Sequence, residues 1–192
     1  MGLLSAQLTA TVCKISAGNN RPGSAQLAFA LDRINQTLIP ELKSLFQKDA
    51  EDFDKVIQAR QARNEATDPV LERRLATRSL RLLETSTDLV FSIAQICLQL
   101  VDYGSVAFDS GARKVRGDSG AAISVAIAGA MSAVFIINLN LRSFKGSKWA
   151  LDRQRRSDAL YADIIRRQED AFSRIVTLQP ETVADLQRSF FE

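Results

Sequence analysis

Apolar residues recur every three or four positions through most of this chain, and no segment alternates with a period of two. That pattern predicts helices throughout and no strand. Leu4, Leu8, Val12 and Ile15 mark a first helix over residues 3–15, which the AGNNRPGS segment ends with its glycines, asparagines and proline. A second, long helix is predicted from Ser24 to Arg63, with Leu27, Leu31, Ile34, Leu38, Leu42, Leu45, Phe53 and Val56 as its inward stripe. Pro40 falls inside it and should kink it, because proline removes one backbone hydrogen bond and crowds the preceding turn. Asp68 and Pro69 form an N-cap and first-turn pair for a third helix, which reaches Val101 through Leu71, Leu75, Leu82, Leu89, Ile93, Cys97 and Leu100.

The next stretch, DYGSVAFDSGARKVRGDSG over residues 102–120, has four glycines and mixed charges, and reads as a long loop of the kind that often carries function. From Asp118 to Arg142 no residue between the two ends is charged. Asp118 or Ser119 is predicted to cap this apolar helix, and Arg142, Lys145 and Gly146 mark its end, an arrangement that suits the helix dipole. A bilayer span takes about 20 apolar residues, so its length alone permits a membrane helix. Its composition points elsewhere. Ser124, Ser132, Asn138 and Asn140 would need partners in lipid, while Ala122, Ala126, Gly129 and Ala133 share one face and let a neighbouring backbone come close. A buried helix at the centre of a bundle fits better, with no membrane partner.

Ser147 is placed to cap a fifth, charge-laced helix running to Val176, with Leu151, Leu160, Ile164 and Phe172 facing inward. Pro180 opens a short last helix in which Val183, Leu186 and Phe190 line up. The expected fold is therefore all-α, an up-and-down bundle of about five long helices plus a short C-terminal helix, in one domain over residues 1–192 with 177–192 as an extension.

Composition narrows the chemistry. The 192 residues include no histidine, which removes the commonest general base near neutral pH and the commonest zinc ligand. Carboxylates, Lys, Arg, Tyr or backbone must serve instead, and no metal site is expected. Cys13 and Cys97 sit in apolar helical surroundings and are expected to be reduced core residues. No charged leader with an apolar segment and a small-residue cleavage site opens the sequence, so a cytoplasmic protein is expected. The net charge of +3 is mildly basic, and the RKVR and RQRR runs carry no interleaved aromatic residues. No nucleic-acid partner is expected from them, whereas anionic small molecules remain open.

Four stretches taken together resemble the cyclodeaminase/cyclohydrolase family of folate enzymes, which includes formimidoyltetrahydrofolate cyclodeaminase and the bacterial methenyltetrahydrofolate cyclohydrolase. They are DAEDFDKV (residues 49–56), FSIAQICL (91–98), GDSGAAISVAIAGA (117–130) and INLNLRSFKG (137–146), in the family's order. The likeness covers residues 2–165. One departure concerns the family's Pro-Gly-Gly-Gly-Ser stretch, which opens its first helix and would fall before Met1 here. RPGS at residues 21–24 lies after that helix instead, and Asn19 and Asn20 stand where the family is typically basic.

The resemblance implies a tetrahydrofolate derivative as substrate, no further cofactor and a homodimer. Carried over by position, Asp118 corresponds to the aspartate of the family's Ser-Asp-x-Gly motif, and Asp49 and Asp54 to its acidic motif, so these three are the candidate catalytic groups. Ser119, Gly120, Asn140, Arg142 and Lys145 are candidates for holding substrate, the two cations suiting a folate carboxylate. Each has a plainer reading: Asp118 as an N-cap, Asp49 and Asp54 as solvated helix charges, Asn140 as a partner for a neighbouring polar group, and Arg142 and Lys145 as helix C-terminal charges. A carboxylate could activate water for attack on an already electrophilic amidinium carbon. Cyclohydrolase is favoured over cyclodeaminase because the sequence carries no transferase domain. The alternative is a member that keeps the bundle, has lost the chemistry, and serves as a ligand-binding or assembly subunit.

Overall fold

Six α-helices and no strand make up the described part of the computed structural model, residues 1–17, 23–144 and 146–176. The C-terminal helix expected from Pro180 lies outside the described residues, as do Asn19, Asn20 and Lys145.

The first helix, α1 (Gly2–Ala17), departs from its predicted stripe at both ends, although Val12 is buried as predicted and Leu8 is half-buried. Leu4 and Ile15 are exposed, and the buried face is Ser5, Ala6, Thr9, Ala10, Cys13 and Ser16, together with Val12. Small side chains won the inward position because they let α1 lie close against α5 (Arg116–Leu141): the Ser5 hydroxyl donates to the Ala122 carbonyl at 2.8 Å. Near the other end of the pair, a Cβ added to Gly129 would stand 3.4 Å from the Met1 Cβ and 3.7 Å from the Gly2 nitrogen.

The long second helix forms in two pieces, α2 (Ser24–Arg33) and α3 (Ile39–Glu65), joined without a break by a π-helical turn at Ile34–Leu38. Here the irregularity expected at Pro40 appears. Proline has no N–H to give to the carbonyl four residues back, and the wider turn just before it runs its bond from Ile39 N–H to the Ile34 carbonyl. Leu27, Ile34, Leu38, Leu42 and Val56 are buried as predicted, whereas Phe53 is exposed.

Asp68 caps α4 (Pro69–Ser110), accepting from the Val70 N–H at 2.9 Å. This helix continues well past Val101, and the long loop expected over residues 102–120 shrinks to Gly111–Val115, of which Arg113–Val115 form one 3-10 turn. Val101, Ala107 and Phe108 sustain the apolar period, and Gly104 does not break it. A glycine is needed there, since a Cβ on Gly104 would lie 2.7 Å from Ile123 Cγ1 of α5. Leu71, expected inside, is exposed.

Helix α5, uncharged from Ser119 onward, is packed on its small-residue face: Ala122, Ala126, Ala130 and Ala133 are all buried, with Ile123 and Ile137. The four polar side chains singled out in its uncharged part all find partners. Ser124 and Ser132 donate to carbonyls four residues back, Asn138 accepts from Ser157 at 2.9 Å, and Asn140 donates to Thr87 at 3.2 Å. Both α4 and the stretch containing α5 are long and apolar enough to cross a membrane, and half of each such window is buried in the bundle. The start of α5 corrects one expectation. Neither Asp118 nor Ser119 is its N-cap: the helix begins at Arg116, Asp118 sits in the first turn, and the capping residue Val115 offers no side-chain bond.

The Ser147 hydroxyl accepts from the Ala150 N–H at 3.1 Å at the start of α6 (Lys148–Val176). On α6 the buried residues are Ala150, Ser157, Leu160, Ile164 and Ala171, whereas Leu151 and Phe172, predicted inward, are exposed. Arg153 pins this helix to α4 with two bonds to Asp88, at 2.7 and 2.9 Å. Because Asn140 meets Thr87 and Arg153 meets Asp88, α5 ends and α6 begins at the same level of α4. The first turns of α4, from Pro69 to about Thr85, run past both, with α3 alongside; this overhang is about 25 Å long at 1.5 Å per residue.

Candidate functional site

Three of the motif stretches converge on one cleft of about 470 Å³. From α3 come Leu42, Phe46 and Asp49; from α4, Val90, Ile93 and Cys97; from α5, Gly129, Ser132, Ala133 and Ile136; and the start of α1 closes one side with Met1, Gly2 and Leu3. Helical spacing explains each set, since residues three, four or seven apart share a face. The volume is that of an ordinary small-molecule site, and the lining is mostly apolar with few polar groups, as such sites are.

Asp49 is the acid in this lining. It is half-buried, and its carboxylate accepts a hydrogen bond from the Ser86 hydroxyl at 3.1 Å. Burial raises its pKa above the ordinary aspartate value; the Ser86 bond draws it back down, and the negative charge of Asp52 adds to the rise. A carboxyl held partly out of water and pushed toward neutral pH is suited to exchanging a proton with a bound molecule.

Cys97 faces the same space with a different character. Burial lifts its thiol to about 11, so it stays protonated and packs as a small apolar group rather than acting as a nucleophile. Cys13, buried elsewhere, is lifted to about 11 for the same reason. Gly129 packs tightly beside Cys97, where an added Cβ would stand 3.1 Å from the Cys97 Sγ.

The other candidate residues are not gathered at the cleft. Asp54 is exposed on α3, five residues beyond Asp49 and turned to another side. Asp118 is exposed at the start of α5; Ser119 next to it is buried and donates to the Val115 carbonyl at 3.4 Å, and the Gly120 carbonyl accepts from Ser124. Asn140 is at the far end of the same helix on Thr87, followed by the exposed Arg142. Twenty-two residues of straight helix separate Asp118 from Asn140 by about 33 Å. These two groups therefore cannot touch one small molecule within a single chain. Phe46, Ile93, Ser132 and Ile136 are among the lining residues that the sequence does not single out as site residues, although FSIAQICL, which contains Ile93, and the small-residue face of α5, which contains Gly129, both point here.

A sequence model of the formiminotransferase-cyclodeaminase family matches residues 1–159. Comparison with curated proteins finds no significant match. In three dimensions the chain is similar to the crystal structure of the formiminotetrahydrofolate cyclodeaminase of Thermotoga maritima, with a TM-score of 0.69. That likeness covers 91% of this chain and 84% of that one at 14% sequence identity, and it shows a shared all-α fold. The family match spans most of the sequence and includes residues 49–56, 91–98 and 117–146. The chain belongs to the formiminotransferase-cyclodeaminase family.

Proposed function

We propose that the cleft binds the one-carbon-bearing pterin end of a tetrahydrofolate derivative and that Asp49 moves the proton in a reaction at its carbon–nitrogen bond. The observation that carries this reading is the half-buried, pKa-raised carboxyl of Asp49 at the wall of an apolar cleft built from the family's own motif stretches. In a cyclohydrolase, Asp49 takes a proton from the water that attacks the bridging amidinium carbon. In a cyclodeaminase, its protonated form gives a proton to the departing ammonia. The apolar side chains of Phe46, Val90 and Ile136 suit the face of a flat heterocycle, which would cover the exposed Phe46 and Ile136. Ser132, whose hydroxyl now serves the Ala128 carbonyl, is within the same lining and can turn to a ring nitrogen.

The test is direct. Purified protein is incubated with methenyltetrahydrofolate, following loss of its near-ultraviolet absorbance, and separately with formimino-tetrahydrofolate, following ammonia release. Turnover of either substrate that disappears in Asp49→Asn supports the reading; rates equal to the buffer blank with both substrates remove it.

A homodimer belongs to the same reading. Leu4 on α1 and Phe135 and Leu139 on α5 are 51%, 67% and 63% exposed, and the two helices adjoin through the Ser5–Ala122 bond. No charged residue occurs over residues 2–13 or 119–141, so the two helices present a joint uncharged surface of a kind that is ordinarily covered in water. A second copy covers it, with no membrane needed, and the two reduced cysteines accord with a cytoplasmic setting. The cleft opens along the edge of this surface, at Met1, Ser132 and Ile136.

One observation favours the other reading, a binding or assembly subunit without turnover: among the described residues no lysine or arginine lines the cleft, and a folate tail carries carboxylates. Saturable binding of a folate analogue with no turnover of either substrate is the outcome that selects it.

A further inference from the structure

The charged stripe of α4 changes sign just before the level at which α6 begins. Within the bundle, Asp88, Asp102 and Asp109 of α4 pair with Arg153, Arg167 and Arg174 of α6, each across a separation of 65 residues. A constant offset means that the two helices run parallel. The intervals of fourteen and seven residues keep the three acids on a single stripe that drifts slowly round the helix. Continued toward the N-terminus in steps of seven, the stripe reaches Arg81 and then Arg74. The positions that the offset would set opposite them, 146 and 139, precede α6.

Arg73, Thr77, Arg78 and Thr85 flank that pair, and the side chains enclose a shallow groove of about 520 Å³ on the overhanging part of α4. Among the described residues none of these four arginines has an ion pair, whereas Arg153, Arg155, Arg166 and Arg167 of α6 are all paired with aspartates. Val70, Leu71 and Leu80 are exposed on the same stretch. The groove is separate from the cleft: Arg81 and Cys97 are sixteen residues apart, a rotation of about 160°, which puts them on opposite sides of α4.

We propose that this overhanging face is a docking site for an acidic helical segment of a partner protein, seated in line with α6 and bearing carboxylates at intervals of about seven residues. A helix is the fitting shape because the stripe continues one that already holds a helix over about six turns, from Asp88 to Asp109. Carboxylates are the fitting chemistry because a guanidinium fork takes them in a two-point bond. The exposed Val70, Leu71 and Leu80 supply apolar contact beside the charges. The site also excludes a second copy of α6, which would bring arginine against arginine.

The experiment titrates a fluorescently labelled helical peptide of about three heptads, built on Ala and Leu with Glu pairs every seventh position, with the full chain. Saturable binding is expected, weakening at physiological salt relative to low salt, and falling by at least about tenfold in Arg74→Glu/Arg81→Glu. Circular dichroism should show that the double variant keeps its helices, and a folate analogue should bind it as it binds the parent, since neither residue lines the cleft. Failure of the peptide to bind overturns the proposal. So does equal binding of a scrambled peptide of the same composition, binding that the double variant leaves unchanged, or tighter binding of phosphatidylserine vesicles or single-stranded RNA by the same arginines.

Discussion

Ser86 on α4 donates its hydroxyl to the Asp49 carboxylate on α3 at 3.1 Å, tying the two helices together at the wall of the cleft. The bond favours the charged carboxylate and opposes the effect of burial. Ser86→Ala should therefore raise the Asp49 pKa further, so that the base form is reached only at higher pH. The acid limb of the kcat/KM profile is expected to move to higher pH in Ser86→Ala with the plateau within a few-fold of the parent, whereas Asp49→Asn loses about 10²-fold or more at every pH. An acid limb that stays in place in Ser86→Ala contradicts the assignment.

The same carboxyl carries a stability signature of predictable sign. Its folded pKa is above the unfolded value of about 3.9, so the folded state holds the proton more tightly. Stability from this group is complete below the unfolded pKa and is lost as the pH rises through the folded one. Asp49→Asn, neutral throughout, should be more stable than the parent at neutral pH, and the gap should close as the pH falls through the carboxylate range. Urea midpoints at both pH values measure this; a variant weaker than the parent at neutral pH refutes it.

Gly104 and Ile123 set the distance between α4 and α5. In Gly104→Ala the new methyl meets Ile123 Cγ1 at 2.7 Å in the middle of the core, where overpacking costs about 1–3 kcal/mol. The penalty should shrink when Ile123→Ala is added, giving a double variant less destabilised than the sum of the two single changes. Additive losses in urea denaturation would show that the two residues do not press on one another.

Phe135 and Leu139 lie one turn apart on the exposed face of α5. Introducing Asp at both positions puts charge into the surface assigned to the second copy and should shift the protein from dimer to monomer in sedimentation velocity, with helix content unchanged. A parent that already sediments as a monomer, or a variant that remains a dimer, locates the interface elsewhere or removes it.

Helices were readable wherever large apolar residues recur without competition, as from Leu27 to Leu42 and from Leu82 to Leu100. Misreadings arose where small residues decided the packing. On α1 the leucines are the obvious stripe, yet Ser5, Ala6, Thr9 and Ala10 face inward because close backbone approach to α5 outweighs the burial of larger side chains. At residues 102–120 the glycines suggested a loop; Gly104 instead serves helix contact, a role visible only once Ile123 is placed against it. Its motif singled out Asp49, which lies in the cleft lining. Phe46 and Ser132 are not marked as lining residues, since nothing in a single sequence reveals which turn of a long helix faces a cavity shared by four helices.

The π-helical turn at Ile34–Leu38 has one more residue to its hydrogen-bonded ring than an ordinary turn does. Everything after it on α3 is thereby swung by about 100° relative to α2. Removing a single exposed residue such as Gln36 would let the turn tighten and carry Asp49, thirteen positions away, from the cleft wall toward another side of the helix. The aim of the proton-handling carboxyl is thus set partly by a surplus residue three turns upstream, and shortening the chain there would disarm the cleft without altering any group that lines it.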